Sequence, residues 1–314
     1  MISDETITLL CYFSICSFGL IINAFCLYKI TTLREFRHCF GYICTVQLIS
    51  NTITLTIFLF WSCPSLLFLE ESNIYEIFNH IFGDFGILAW NLTMYSHIAC
   101  CVNRFIAMYY PTKYSGIFDK RMCRIIILSI WILSMCHVVP YIFFGCSYKF
   151  SNTNLTWIFE FNKCTNILTS IDFYLSLTNV CFTLFLDSLI FIKLGIQGKK
   201  SSELHGTNAV SVINVKSTDV QSSNKKLTVK KSSKTKSVYS NRVRFFLQSF
   251  IQNILIAIEL ICFHIICYRV QGKIWAMVFS SCAWALCHTL DGLVLCIFNK
   301  EIRNSLLRVC SHNK

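Results

Sequence analysis

Four stretches of this chain, Thr6 to Tyr28, Cys39 to Leu69, Phe85 to Asn103 and Ile125 to Tyr148, contain no Asp, Glu, Lys or Arg. Each is long enough as a helix to cross roughly 30 Å of hydrocarbon. Three more apolar stretches are interrupted only by acids: Thr165 to Ile192 by Asp172 and Asp187, Phe245 to Tyr268 by Glu259, and Ile274 to Asn299 by Asp291. Soluble domains place a charge every few positions, and a chain that is 54% hydrophobic and 14% charged falls outside their range. The expectation is an all-α membrane protein, a seven-transmembrane helix bundle over residues 1–299. Its spans are placed near 7–29, 40–63, 82–104, 125–147, 168–192, 245–268 and 274–298, with a short amphipathic tail over 300–314.

The net charge of +12 gains its meaning from location. Of 28 Lys and Arg, 24 fall in residues 29–38, 104–124, 193–244 and 300–314, while Lys149, Lys163, Arg269 and Lys273 lie on the other side. Without the longest loop the ratio is still 12 to 4. This positive-inside bias predicts the N-terminus outside and the C-terminus in the cytoplasm. The bilayer, and not nucleic acid, is therefore the partner that the charge implies. The first span serves as its own insertion signal. Residues 195–244, rich in Ser, Thr and Lys, are expected to be a disordered cytoplasmic loop, either a target for kinases or a solvated charge run. In the tail, Ile302, Leu306 and Val309 share one helical face, and Cys310 is a candidate for palmitoylation.

The third span ends Asn103-Arg104-Phe105, and Pro111 forces the chain to turn before Tyr114. An arginine at the end of an apolar helix either snorkels to headgroups or meets a partner inside the bundle. This segment resembles the Asp-Arg-Tyr, Pro, Tyr signature of rhodopsin-like G-protein-coupled receptors, with the same spacing from arginine to proline to tyrosine. The resemblance implies that Asn103, Arg104, Phe105, Pro111 and Tyr114 form the coupling end for a heterotrimeric G protein. Asn103 replaces the usual acid, which removes any ionic restraint by that neighbour. The family's acid in the second span is missing too, with Asn51 in the middle of that helix, so a sodium site is not expected. Asp291-Gly292 stands where the family's Pro and Tyr hinge would follow, and only the acid carries over.

Polar groups inside apolar helices mark candidate sites, because a buried ionisable group needs a partner or a cavity. Asn23, Asn51 and Asp291 form a predicted intramembrane network, with Gly19 and Asn23 on one face of the first span. Glu259 lies nine residues inward from Tyr268, about 14 Å deep by helical rise. With Trp90, Met94 and Trp284 it is a candidate ligand pocket; the competing reading is a hydrogen bond to a neighbouring helix or a protonated carboxyl. Most of the 19 cysteines lie inside spans, where they behave as small apolar residues. Cys146 and Cys164 flank the outer loop between spans 4 and 5, and a bridge between them is preferred, with Cys63 as the rival partner. Rhodopsin-like receptors tie this loop to the third helix, but Asn79 stands 25 residues before Arg104, in that cysteine's place. The sequon at Asn154 is a candidate glycan acceptor, while the one at Asn91 is inside the bilayer and expected to be silent.

Asn-Arg-Phe, the Pro-Thr-Lys-Tyr-Ser-Gly-Ile-Phe continuation to Phe118, the Cys146 to Cys164 loop with Trp157, and Asp291-Gly292 ending in Phe298-Asn299 resemble nematode serpentine chemoreceptors of class X (Srx). The resemblance implies a chemosensory receptor for a small molecule of odorant or pheromone type. It also implies a plasma-membrane location in sensory-neuron cilia, coupling to a heterotrimeric G protein, and contact with receptor kinases or arrestin. The alternatives are a seven-span ligand-gated odorant channel subunit, which places its N-terminus inside, and a non-chemosensory receptor for a neuropeptide or small amine. The motifs of intramembrane proteases and the Schiff-base lysine of opsins are missing, so neither catalysis, nor a metal, nor a cofactor is expected.

Overall fold

The computed structural model describes residues 3–67, 72–212 and 243–312. Seven helices long and apolar enough to cross a membrane make up nearly all of it. They are α1 (Asp4–Thr32), α2 (Cys39–Leu67), α3 (Asn73–Tyr109), α4 (Lys120–Phe143), α5 (Lys163–Val212), α6 (Val243–Ile266) and α7 (Lys273–Phe298), followed by α8 (Lys300–His312). Between α4 and α5 a hairpin of β1 (Tyr148–Ser151) and β2 (Thr156–Phe159) pairs antiparallel, Tyr148 opposite Phe159.

Most helices begin before their apolar runs, and at several of them a capping side chain sets the start. Ser3 caps α1 through the Thr6 amide, Ser72 caps α3 through Tyr75, Asp119 caps α4 through Met122, and Asn162 accepts from Thr165 at the start of α5. Thus α3 opens at Asn73 instead of 82, and its first turns carry Glu76, His80 and Asp84. Helix α4 closes at Phe143, short of 147, because Gly145 takes a left-handed φ of 70° just past the end. Helix α2 continues past the expected end at Cys63, through Pro64 to Leu67. The turn before the proline widens into a π turn over Phe58–Ser62, where the Cys63 amide bonds Phe58 O, so the chain absorbs the proline without stopping. Helix α5 likewise runs beyond 192 to Val212, so residues 195–212 of the expected disordered loop are helical; residues 213–242 of that loop lie outside the described residues. Asn299 Oδ1 accepts from the Glu301 and Ile302 amides, which separates α7 from α8 and starts the amphipathic tail.

Helix α3 is the central post. In its apolar window 72% of residues are buried, against 17% in α4, which turns most of its surface outward. Packing between apolar helices in lipid depends on small residues and interhelical hydrogen bonds. The α1–α7 contact shows both. A Cβ on Gly19 would collide with Thr289, one on Gly292 would lie 2.5 Å from Asn23 Oδ1, and Asn23 Nδ2 donates to Gly19 O and to His288 O. One apolar cluster, rich in aromatic rings, fills the half of the bundle under the hairpin; a second, around Phe36, Phe40, Ile43 and Ile302, fills the opposite half.

Candidate functional site

The hairpin plugs one end of the bundle and is tied to five helices. Tyr12 of α1 donates to Leu155 O at 2.7 Å, and Trp157 Nε1 donates to Ser62 Oγ of α2 at 3.0 Å. On α7, the π turn over Val278–Cys282 turns both Ser280 and Ser281 toward the hairpin. Ser281 Oγ accepts from the Trp157 amide at 3.0 Å, and Ser280 bonds Thr156 at 2.7 Å. Cys146 is disulfide-bonded to Cys164 on α5, with Cα atoms 5.2 Å apart, while Cys63 is free. The tie to α3 is made by Asn79, which takes the Phe150 amide on Oδ1 at 3.0 Å and gives Nδ2 to Phe150 O at 2.8 Å. Its Oδ1 also accepts from Trp61 Nε1 at 3.0 Å. One asparagine thus does by hydrogen bonds what a cysteine at this position would do covalently. Close by, a Cβ on Gly83 would collide with the Tyr148 carbonyl, so only glycine lets α3 and β1 approach this far.

Lys149 on β1 reaches Glu160 at 2.6 Å and Glu76 at 3.2 Å. Partial burial works against its ammonium, but the two carboxylates outweigh that and raise its pKa above the ordinary value. The same contact with Lys149 holds the Glu160 carboxyl below its own. Asn154 sits exposed at the hairpin tip, bonded to Ser151, whereas Asn91 is buried and bonded to Ile87 O.

Under the hairpin lies a cavity of about 30 Å³ lined by Gly86, Ile87 and Trp90 of α3, Tyr148 and Phe159 of the hairpin, Asp172, Glu259, Phe263, His264 and Trp284. Glu259 is 4% exposed and faces this cavity. Trp90, Glu259 and Trp284 therefore meet. Met94 does not join them: one turn further along α3, it lines a separate small cavity with His97, Asn179 and Asn253. A four-residue step moves a side chain about 6 Å along the axis, which takes Met94 below the ring of Trp90.

Deeper still, a chain of buried polar side chains crosses the bundle. Asp291 accepts from Gln47 at 2.7 and 2.9 Å and from Asn51 at 2.7 Å, and lies 3.5 Å from His97. Asn51 also contacts Asn23 at 3.2 Å and His288 at 2.7 Å. From His97 the chain continues through Asn253 at 3.2 Å to Asp187 at 2.7 Å, and so reaches α6 and α5. Asn23, Asn51 and Asp291 come together, and the network is wider than these three. Gln47, His97, Asn253, Asp187 and His288 complete it. Their signal in the sequence is a polar group in the middle of an apolar run, the same signal that picks out Asn51.

At the end opposite the hairpin, a cleft of about 470 Å³ opens among the helix ends. Arg104 lines it with its guanidinium 5.1 Å over the Phe40 ring, and Nε and Nη1 have no hydrogen-bond partner among the described residues. Asn103 is buried, and its Oδ1 accepts from Tyr114 at 3.1 Å; the tyrosine past the Pro111 turn thus reaches back to the end of α3. Phe105 faces another way, stacked on Tyr109 at 4.5 Å beside Met108, Ile190 and Phe246. Arg244, Lys300, Glu35 and Glu301 stand around the rim. The side chain of Cys310, on the last turns of α8, lies outside the described residues.

Residues 13–211 and 205–299 match the family model of the serpentine type 7TM GPCR chemoreceptor Srx. Serpentine receptor class X 45 of Caenorhabditis elegans is 23% identical over 323 residues, a match that covers 98% of this chain and 82% of that protein. Among solved structures, squid rhodopsin superposes with a TM-score of 0.75 at 12% identity, over 98% of this chain and 86% of its own. That likeness identifies the bundle as a rhodopsin-type seven-helix fold.

Proposed function

The chain belongs to the serpentine type 7TM GPCR chemoreceptor family Srx, a multi-pass membrane protein family, and from that premise we propose that it binds a small molecule beneath the hairpin and activates a heterotrimeric G protein at the Arg104 cleft. The observation that carries this reading is the cleft itself. A guanidinium with no ion-pair partner among the described residues faces an open space of about 470 Å³ where α2, α3, α6 and α8 converge. A peptide segment that offers backbone carbonyls or a C-terminal carboxylate suits such a donor. Asn103 and Tyr114 fix the end of α3, Phe105 packs it against α5 and α6, and Pro111 turns the chain out of the cleft. The buried network from Asn23, Asn51 and Asp291 to Asp187 links all helices except α4, and lies between the hairpin cavity and Arg104. It is the means by which a ligand above shifts helix ends below.

The orientation in this reading has the hairpin outside and the cleft in the cytoplasm, as the charge distribution predicts. Asn154 then bears a glycan, and Cys310 a palmitoyl chain against the inner leaflet. The protein sits in the plasma membrane of sensory-neuron cilia, acts without enzymatic chemistry, and is regulated by receptor kinases or arrestin through the basic loop after α5. Epitope tags test the arrangement. An N-terminal tag should be stained on intact cells, and a tag within residues 213–242 only after permeabilisation. The reverse pattern overturns the reading in favour of a ligand-gated channel with its N-terminus inside.

A further inference from the structure

The cavity under the hairpin has a chemistry that selects its guest. Its walls are aromatic: Trp90, Trp284, Tyr148, Phe159 and Phe263 surround a space of about 30 Å³. Its titratable side chains are two acids, Asp172 and Glu259, with His264 beside them, and neither Lys nor Arg is among the lining residues. Glu259 is 4% exposed, and its Oε2 has no hydrogen-bond partner among the described residues. Asp172, partly exposed at the edge on α5, makes neither a hydrogen bond nor an ion pair among the described residues. A buried carboxylate oxygen without a partner is costly, and its neighbours do not relieve that cost. Two acids facing one small space would repel an anionic guest, whereas ring faces and carboxylates together attract a cation. A space of this size takes about two waters, or an ammonium head carrying one or two small alkyl groups.

We propose that the aromatic cavity bounded by Glu259 and Asp172 is a recognition site for the ammonium head of a small aliphatic amine. This rests on the small-molecule receptor reading above and narrows it to a chemical class. The ammonium hydrogens meet Glu259 at the inner wall, the rings of Trp90, Trp284 and Tyr148 supply cation–π contacts, and Asp172 draws the cation in at the edge. The alkyl tail points toward the hairpin, where Phe159 and Phe263 take up apolar surface.

The test uses purified full-length receptor in nanodiscs, with thermal unfolding as readout. The probes are primary, secondary and quaternary alkylamines of one to six carbons, each paired with the alcohol of the same shape. Several amines should raise the melting temperature in a saturable way, and the matched alcohols should need at least ten times the concentration. Glu259→Gln should weaken amine binding at least tenfold with no change for alcohols. Asp172→Asn, at the edge, should weaken it several-fold. No shift with any amine overturns the proposal, as do equal potencies of amines and alcohols, or an amine response unchanged in both variants. Alcohol binding lost in Trp90→Ala with no amine preference would overturn the amine assignment and leave the receptor reading standing. Amine binding that fails to stimulate any heterotrimeric G protein would support the amine site and overturn the receptor reading.

Discussion

Asn79→Ala removes three hydrogen bonds at once from a side chain that is 1% exposed. It strands the Phe150 amide, the Phe150 carbonyl and the Trp61 indole N–H. Each buried polar group left unpaired costs about 1–3 kcal/mol. With water admitted from the hairpin end to satisfy part of this, the loss for hairpin docking is about 3 kcal/mol, much like that of a disulfide closing a loop of this length. Hydrogen–deuterium exchange of the 148–159 segment reads it directly, because about 3 kcal/mol accelerates exchange through opening by about 100-fold. Trp61→Phe removes one bond of the three and should cost about 1 kcal/mol, a several-fold effect. If Asn79→Ala left the protection of Phe150 within about threefold of wild type, the asparagine could not be what ties the hairpin to α3.

The Cys146–Cys164 bond predicts that Cys146→Ser, Cys164→Ser and the double variant lose surface expression to the same extent, as measured by flow cytometry; additive losses would mean separate partners. Gly292→Ala drives a Cβ into the Asn23 amide and should destabilise the bundle by about 1–3 kcal/mol through overpacking, seen as a lower melting temperature; an unchanged one would show that α1 and α7 can separate freely. The Lys149–Glu160 pair has a lowered carboxyl and a raised ammonium. Its contribution, below about 1 kcal/mol for a half-screened pair, is present above the ordinary glutamate value of 4.5 and is lost as the pH falls through the lowered folded value. At the other limit it is present below 10.5 and lost as the pH rises through the raised lysine value. Hairpin protection should therefore respond to this pair only outside about pH 5 to 10, and Lys149→Met should abolish the acid-side response.

The bundle was legible because lipid leaves few options for an uncharged run of twenty residues or more: α1, α2 and α4 follow from the lack of charge alone. The start of α3 was not, because its first turns carry Glu76 and His80, which a hydropathy reading assigns to a loop and the Ser72 cap makes helical. Acids inside spans marked Glu259 and Asp291 as buried groups, while Asp172, picked out by the same signal, lies partly exposed at the edge of α5. What they face depends on helix rotation, and π turns in α2, in α6 over Cys262–Ile266 and in α7 each advance the face by an extra residue. No periodicity count over the sequence includes that advance. The separation of Met94 from Trp90, and the meeting of His97 with Asp291 across the bundle, are consequences of packing depth and partner choice. The role of Asn79 was half visible: the missing cysteine showed in the spacing, but its replacement by an amide clamp needed the position of β1.

In the proposed function, this chain signals through the cleft around Arg104. The most direct measurement is receptor-stimulated nucleotide exchange on a heterotrimeric G protein, with wild type and Arg104→Ala reconstituted at equal density in nanodiscs, with and without the alkylamine panel. Exchange should be stimulated by wild type and abolished in Arg104→Ala, while amine-induced thermal stabilisation is the same in both. Stimulation that persists at the wild-type level in Arg104→Ala would contradict it.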